Sequence, residues 1–139
     1  MDFHYLMFDE PHLGDAYFDK LRISLKGAIR FAERRQLKRE ASGKSRVAVT
    51  LTHEQAMDIA RQQGFRCALT RLMFYSVGSH SYGPSRPSLD RREHGGPYSA
   101  ENVRIIMLGV NGLRGAGSDD DMYEIARALV ANRPGGHGF

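Results

Sequence analysis

A polar stretch ahead of a short apolar run carries the side chains best suited to chemistry in this chain. The segment SLDRREHGGPYSAEN, residues 88–102, places Asp90, Arg91 and His94 close together and ends at Asn102. A carboxylate can hold a hard cation, and an imidazole can accept a proton near neutral pH. A solvated hairpin loop has a similar composition, because asparagine and glycine also favour turns. The segment is therefore either an ordinary loop or the rim of a site that handles charge.

Basic side chains are concentrated earlier in the chain. Between Lys20 and Arg46, ten lysines and arginines face two glutamates, a net charge of +8 in a chain whose formal charge is +4. Cations at four-residue spacing line up along one face of a helix. This stripe predicts contact with nucleic acid, against the alternative of a solvated face, which usually includes more glutamates. The candidate binding residues are Arg22, Lys26, Arg30, Arg34, Arg35, Lys38 and Arg39.

Composition excludes several other classes of protein. The chain of 139 residues has a single cysteine, Cys67, so an internal disulfide and a cysteine-rich structural zinc site are excluded. We expect Cys67 to be a small buried residue. No apolar run is long enough to span a bilayer, and the acidic, aromatic N-terminus is unlike a secretory signal. We therefore expect a soluble, cytoplasmic protein, and the sequence leaves its oligomeric state open.

The first half of the chain predicts two helices. After an extended arm, apolar residues at three- and four-residue steps predict a long helix from about Asp15. Thr52 and Gln55 form the pattern of a capping box, which predicts a second helix that stops at Gly64. Residues 47–51 and 66–77 favour extended structure. The buried face predicted for the long helix comprises Phe18, Leu21, Leu25, Ile29 and Ala32.

The second half predicts strands and shorter helices. PSLDR and NVRII read as strands, and residues 107–114 as a helix. Ser118 and the three aspartates after it predict the capped start of a last helix, the alternative for these aspartates being a metal site. Its predicted buried face comprises Met122, Ile125, Ala126 and Leu129. The fold class is therefore α+β.

Three segments together resemble a known family. RCALTRLMF, PSLDRREHGGPYSAENVRII and VNGLRG are similar, in order and spacing, to the HNH endonucleases of the His-Me finger group, in their phage and bacterial branch. Asp90 precedes Asn102 by twelve residues, and Asn111 follows nine later, as in that branch. The resemblance covers about residues 16–130. It implies a ββα-metal core, an antiparallel hairpin and a helix around one divalent ion that holds the scissile phosphate of DNA. We expect an arm and basic helix over 1–50 and the HNH-like domain over 51–139.

The resemblance also implies roles for individual residues. Asp90 and Asn111 would be the protein ligands of one Mg²⁺ or Mn²⁺ ion, and Asn102 would brace the loop through hydrogen bonds to its backbone. Oxygen ligands of this kind suit a hard cation that keeps several waters. Such an ion stabilises the charge that develops on a phosphate during cleavage. No structural zinc is expected.

The family's general base is a histidine, and this chain has Arg91 at that position. A guanidinium does not deprotonate in proteins, so Arg91 cannot activate water. The phage and bacterial branch also has Asp-Arg here. Three alternatives remain open: His94 is the base, His80 is the base, or there is no histidine base and Arg91 stabilises the phosphate.

The expected function is a metal-dependent HNH-type endonuclease that hydrolyses phosphodiester bonds of double-stranded DNA. A catalytically degenerate DNA-binding protein on the same scaffold is the alternative that Arg91 favours. A protein-interaction module with a basic flank is a third possibility, and only the charge supports it.

Overall fold

The computed structural model describes residues 14–78 and 83–135. Over these residues the fold is α+β, with four helices and one antiparallel hairpin, as the sequence predicts. The predicted N-terminal arm lies almost wholly, and His80 wholly, outside the described residues. The elements are α1 (Asp15–Ala41), α2 (His53–Gln62), β1 (Pro87–Arg91), β2 (Val103–Met107), α3 (Leu108–Arg114) and α4 (Asp119–Ala131).

The predicted apolar face of α1 is confirmed. Leu21, Leu25, Ile29 and Ala32 are buried and Phe18 is half-buried. They pack against β1 and α2, in the same core as the β2 residues. The basic helix is thus integral to the fold over the described residues.

Side-chain caps fix where two helices begin. The capping box of Thr52 and Gln55 at the start of α2 is confirmed. Ser118 likewise accepts a hydrogen bond from the Asp121 backbone and caps α4, as predicted. Gly64 follows α2 with a φ of 69°, a left-handed conformation that glycine adopts without steric cost.

The strand expected over residues 66–77 is wrong. The segment forms turns with a single bridge between Arg66 and Met73, and Arg71 has a φ of 64°. The side chain of Gln63 donates to the Ile105 carbonyl and accepts from the Ile105 amide, at 2.8 and 3.0 Å. The Ile105 carbonyl also accepts from the Ala68 amide at 3.0 Å, but the Ile105 amide is taken by Gln63, so residues 66–77 do not form the paired backbone hydrogen bonds of a third strand there. Residues 47–51 are extended but make only one bridge, between Val49 and Tyr98.

The buried face predicted for α4 is wrong for two of its four residues. Met122 is buried and Ala126 half-buried, whereas Ile125 and Leu129 are 47% and 62% exposed. The reason is that α4 packs chiefly against α3, which is about half its length and cannot cover it.

The hairpin and α3 follow one another directly. In the register of β1 and β2, Asp90 lies opposite Arg104 and Pro87 opposite Met107. All five residues of β2 are buried, and Cys67 is buried beside it, as predicted, with its sulfur 3.4 Å from the Met107 amide nitrogen. α3 begins at Leu108, directly after the last residue of β2. Within the described ranges, no helix is both long and apolar enough to cross a membrane.

Candidate functional site

The carboxylate of Asp90 lies at the centre of a buried group of charges. Arg104 faces it across the hairpin and donates from Nε to Oδ2 at 2.7 Å. Arg114, at the end of α3, donates from Nη1 to Oδ1 at 2.8 Å. The side chains of Asp90 and Arg114 are 3% and 8% exposed. Both carboxylate oxygens therefore bind a guanidinium away from water.

Asp119 completes this group from the first turn of α4. It accepts from Arg104 through both oxygens, at 2.7 and 3.1 Å, and from Arg114 Nε at 2.9 Å. We call Asp90, Arg104, Arg114 and Asp119 the Asp–Arg cluster. Two cations and two anions make it neutral, which is what allows charges to be buried at acceptable cost. The cluster ties the hairpin, α3 and α4 together.

Hydrogen bonds across the cluster shift the pKa values of two of its members, Arg104 and Asp119. Burial disfavours the charged guanidinium of Arg104, but the hydrogen bonds and charges of Asp119 and Asp90 outweigh burial and raise its pKa. The hydrogen bond from Arg104 is the main cause that lowers the pKa of Asp119, although burial opposes it. Both shifts favour the charged forms of Arg104 and Asp119.

Asn111 lies in the middle of α3, and its side chain points at the second and third residues of β1. Its Nδ2 donates to the Leu89 carbonyl and to the Ser88 hydroxyl, both at 3.1 Å. Leu89 immediately precedes Asp90. The fold therefore places Asn111 against the strand that bears Asp90, in contact with the residue before it.

The cluster as it stands does not accommodate a divalent ion. A carboxylate and an amide are suitable donors, yet both oxygens of Asp90 are already hydrogen-bonded to arginines. A cation there would also face two guanidiniums, and like charges in a buried site repel strongly. Nor do the residues that the structure describes include any group of three or more His, Cys, Asp or Glu side chains that could hold a metal.

Asn102 makes the contacts expected of a loop brace. Its Oδ1 accepts from the Glu93 amide at 2.9 Å, and its Nδ2 donates to the carbonyls of Pro97 and Glu93, at 2.8 and 3.3 Å. A Cβ on Gly96 would come within 2.8 Å of that Nδ2, so glycine is needed for the amide to reach the backbone. The Asn102 side chain thus holds residues 93–97 of the loop together through their backbone.

Arg91 is the last residue of β1, and its side chain also contacts the loop. Its Nη1 donates to the Gly96 carbonyl at 3.1 Å, and its guanidinium lies 4.6 Å from the centroid of the Tyr98 ring. His94 is exposed, and no described residue hydrogen-bonds to its ring. The structure thus brings neither side chain into contact with Asp90.

The candidate nucleic-acid-binding residues lie on the outer face of α1. Arg22, Lys26, Arg30, Arg34, Arg35 and Lys38 are exposed, and Arg39 is half-buried, bonded to the Ser45 carbonyl. Arg22 pairs with Asp19. For the other five exposed cations, no carboxylate of the described residues lies within 4.0 Å. The stripe therefore presents uncompensated positive charge to solvent.

Arg104 and Arg114 were missed by reasoning from the sequence. Each carries a weak signal: Arg104 pairs with Asp90 once the hairpin register is known, and Arg114 follows Asn111 at i+3 on the same helix face. Neither signal can be read until the elements are assembled.

No family model, no curated protein and no solved structure matches this chain, so the comparisons with known proteins identify no family for it.

Proposed function

We propose that this protein is a DNA-cleaving enzyme of the HNH type, in which α1 holds the DNA backbone and the unit β1–β2–α3 acts on a phosphodiester. The observation that carries the proposal is the hydrogen bond from Asn111, on the helix, to the carbonyl of Leu89, the residue before Asp90 in β1. The resemblance requires the helix asparagine to lie near this strand, and the hydrogen bond joins residues twenty-two positions apart. Asn102 contributes the braced loop between them.

The outer face of α1 supports the DNA-binding part of the proposal. Its unpaired cations favour phosphate contacts, which give affinity without reading sequence. Double-stranded DNA is the expected substrate because the family acts on it.

In this proposal the cluster has to open before the site can work. Asp90 and Asn111 would hold a Mg²⁺ or Mn²⁺ ion, whose chemistry is the stabilisation of charge on a phosphate. Asp90 becomes free for that role only when Arg104 and Arg114 release it. A phosphodiester offers guanidiniums the same kind of oxygen acceptor as a carboxylate, so bound DNA can replace Asp90 as their partner.

A DNA-binding protein without catalysis is the second candidate. Two observations favour it: both oxygens of Asp90 are taken by arginines, and Arg91 donates to Gly96 and lies against Tyr98. Neither requires a metal or a base.

A plasmid assay separates the two candidates. With Mg²⁺ or Mn²⁺, the wild type is expected to nick or cut supercoiled plasmid, and EDTA or Asp90→Ala is expected to abolish cleavage. The matched control is Asp58→Ala, which removes an exposed carboxylate of α2 and should leave cleavage intact. Plasmid that is bound but stays supercoiled across metals and pH would establish the binder and reject the nuclease.

A further inference from the structure

The basic face of α1 also carries three large apolar side chains that the fold leaves in water. Ile23, Phe31 and Leu37 are 71%, 66% and 54% exposed. They lie opposite the buried face of the helix and alternate with the exposed cations Lys26, Arg30 and Arg34. Charge alone does not explain them, because phosphate contacts need no apolar group.

Of these three residues, Phe31 is the one that has a glycine one helical turn before it. In a helix, a side chain lies over the turn N-terminal to its own Cα, and the residue one turn before Phe31 is Gly27. A Cβ on Gly27 would meet nothing within 4 Å. Glycine in a helix interior is destabilising, and neither a positive φ nor a close contact requires one here. Position 27 therefore offers no side chain that could cover the Phe31 ring.

We infer that Phe31, one turn after the side-chain-free position Gly27, is a stacking platform for an unpaired base, so that this face of α1 binds unpaired stretches of its DNA substrate more tightly than fully paired ones. The inference rests on the proposed DNA binding and names the form of DNA. An aromatic ring amid cations is how single strands are held: the charges follow the backbone and the ring takes a base face. In a duplex the base faces are stacked inside and cannot reach Phe31.

The spacing of the apolar residues argues against a lipid surface. Along the helix axis, Phe31 lies about 12 Å from Ile23 and about 9 Å from Leu37. Lys26 and Arg30 come between the first two, and Arg34 between the last two. A helix that lies in a membrane interface has a continuous apolar stripe with its cations on the other face. Here each apolar side chain is separate, which suits contact with single bases.

The test compares a labelled single-stranded oligothymidine with a duplex of the same length by fluorescence anisotropy. Phe31→Ala is expected to weaken single-strand binding about 5- to 150-fold and duplex binding less than twofold. Phe31→Tyr should retain binding and Phe31→Leu should not. The slope of log affinity against log salt should stay the same for all three. Since Phe31 is exposed, these variants should fold, which circular dichroism checks.

A second variant tests position 27 itself. Gly27→Gln replaces glycine with a better helix former, so it should raise the thermal midpoint while it lowers single-strand affinity. Gly27→Ala should raise the midpoint and leave affinity unchanged.

The outcomes separate this inference from the proposed function. If the wild type binds no DNA of either form, the proposed function fails. If it binds both forms and Phe31→Ala weakens neither, or both equally, the inference is overturned and DNA binding stands. Binding to anionic phospholipid vesicles that is lost in Phe31→Ala, with single-strand affinity unchanged, would overturn it in favour of a membrane surface.

Discussion

Replacing Arg114 with methionine is expected to destabilise the protein and, in the absence of DNA, to make its stability respond to manganese, whereas the stability of the DNA-free wild type should not respond. The substitution keeps the length and apolar stem of the side chain but removes the guanidinium that binds Asp90 and Asp119. Asp90 then keeps Arg104 and has one oxygen free.

The expected size follows from the burial of the pair. Removing one partner of a buried ion pair costs about 3–5 kcal/mol, because the other charge stays behind without water. Arg104 still compensates part of the Asp90 charge, so we expect the lower end, about 3 kcal/mol. For a chain of this length that corresponds to a fall of about 10 °C in the thermal midpoint.

Manganese should then restore most of the loss in the variant. An ion that binds only the folded state stabilises it by about 2.7 kcal/mol at one hundred times its dissociation constant. The assay is urea unfolding with and without Mn²⁺. The controls are Arg127→Met, an exposed arginine on α4, and the double variant Arg114→Met with Asp90→Asn, neither of which should respond to the ion.

Two results would refute this reasoning. A loss below about 1 kcal/mol would mean that the cluster contributes no more than a surface ion pair. An equal manganese response in wild type and Arg114→Met would mean that Arg114 does not keep the ion away from Asp90.

Three further predictions concern the outer face of α1, the Asp–Arg cluster and the loop of residues 92–102. The double substitution Lys26→Ala with Arg30→Ala should lower the slope of log DNA affinity against log salt by about 2, since two phosphate contacts are lost; an unchanged slope would mean that the stripe only faces water. The pKa of Asp119 is lowered in the folded state. Its ionised form therefore stabilises the fold at pH values above the ordinary pKa of 3.8, and this stabilisation is lost as the pH falls through the folded-state pKa. Acid titration of unfolding should therefore show the wild type losing its advantage over Asp119→Asn below about pH 4, and a gap independent of pH would contradict the shift. Gly96→Ala should loosen the Asn102 brace and raise amide hydrogen exchange in residues 92–102, and exchange rates like those of the wild type would argue against it.

Local patterns were reliable where one side chain acts on its own backbone. The two capping boxes, at Thr52 and Ser118, were readable because donor, acceptor and spacing all lie within four residues. The buried face of α1 was readable because a long helix has to bury its apolar stripe somewhere. The prediction for residues 66–77 was wrong because an apolar segment with high β-propensity can pack beside the edge of a sheet as readily as it can pair with that edge as a strand. That choice depended on Gln63, whose side chain takes the Ile105 amide, whereas the Ile105 carbonyl still accepts from the Ala68 amide.

The sequence by itself determined the helices, the hairpin strands, the basic stripe and the spacing of Asp90, Asn102 and Asn111. These depend on residue type and on separation along the chain. Only the tertiary structure decided which partner Asp90 takes. Arg104 reaches it through the hairpin register and Arg114 through the turn from β2 into α3, and both contacts depend on angles between elements that no local pattern encodes. A carboxylate is a metal ligand or half of an ion pair according to what the fold places around it.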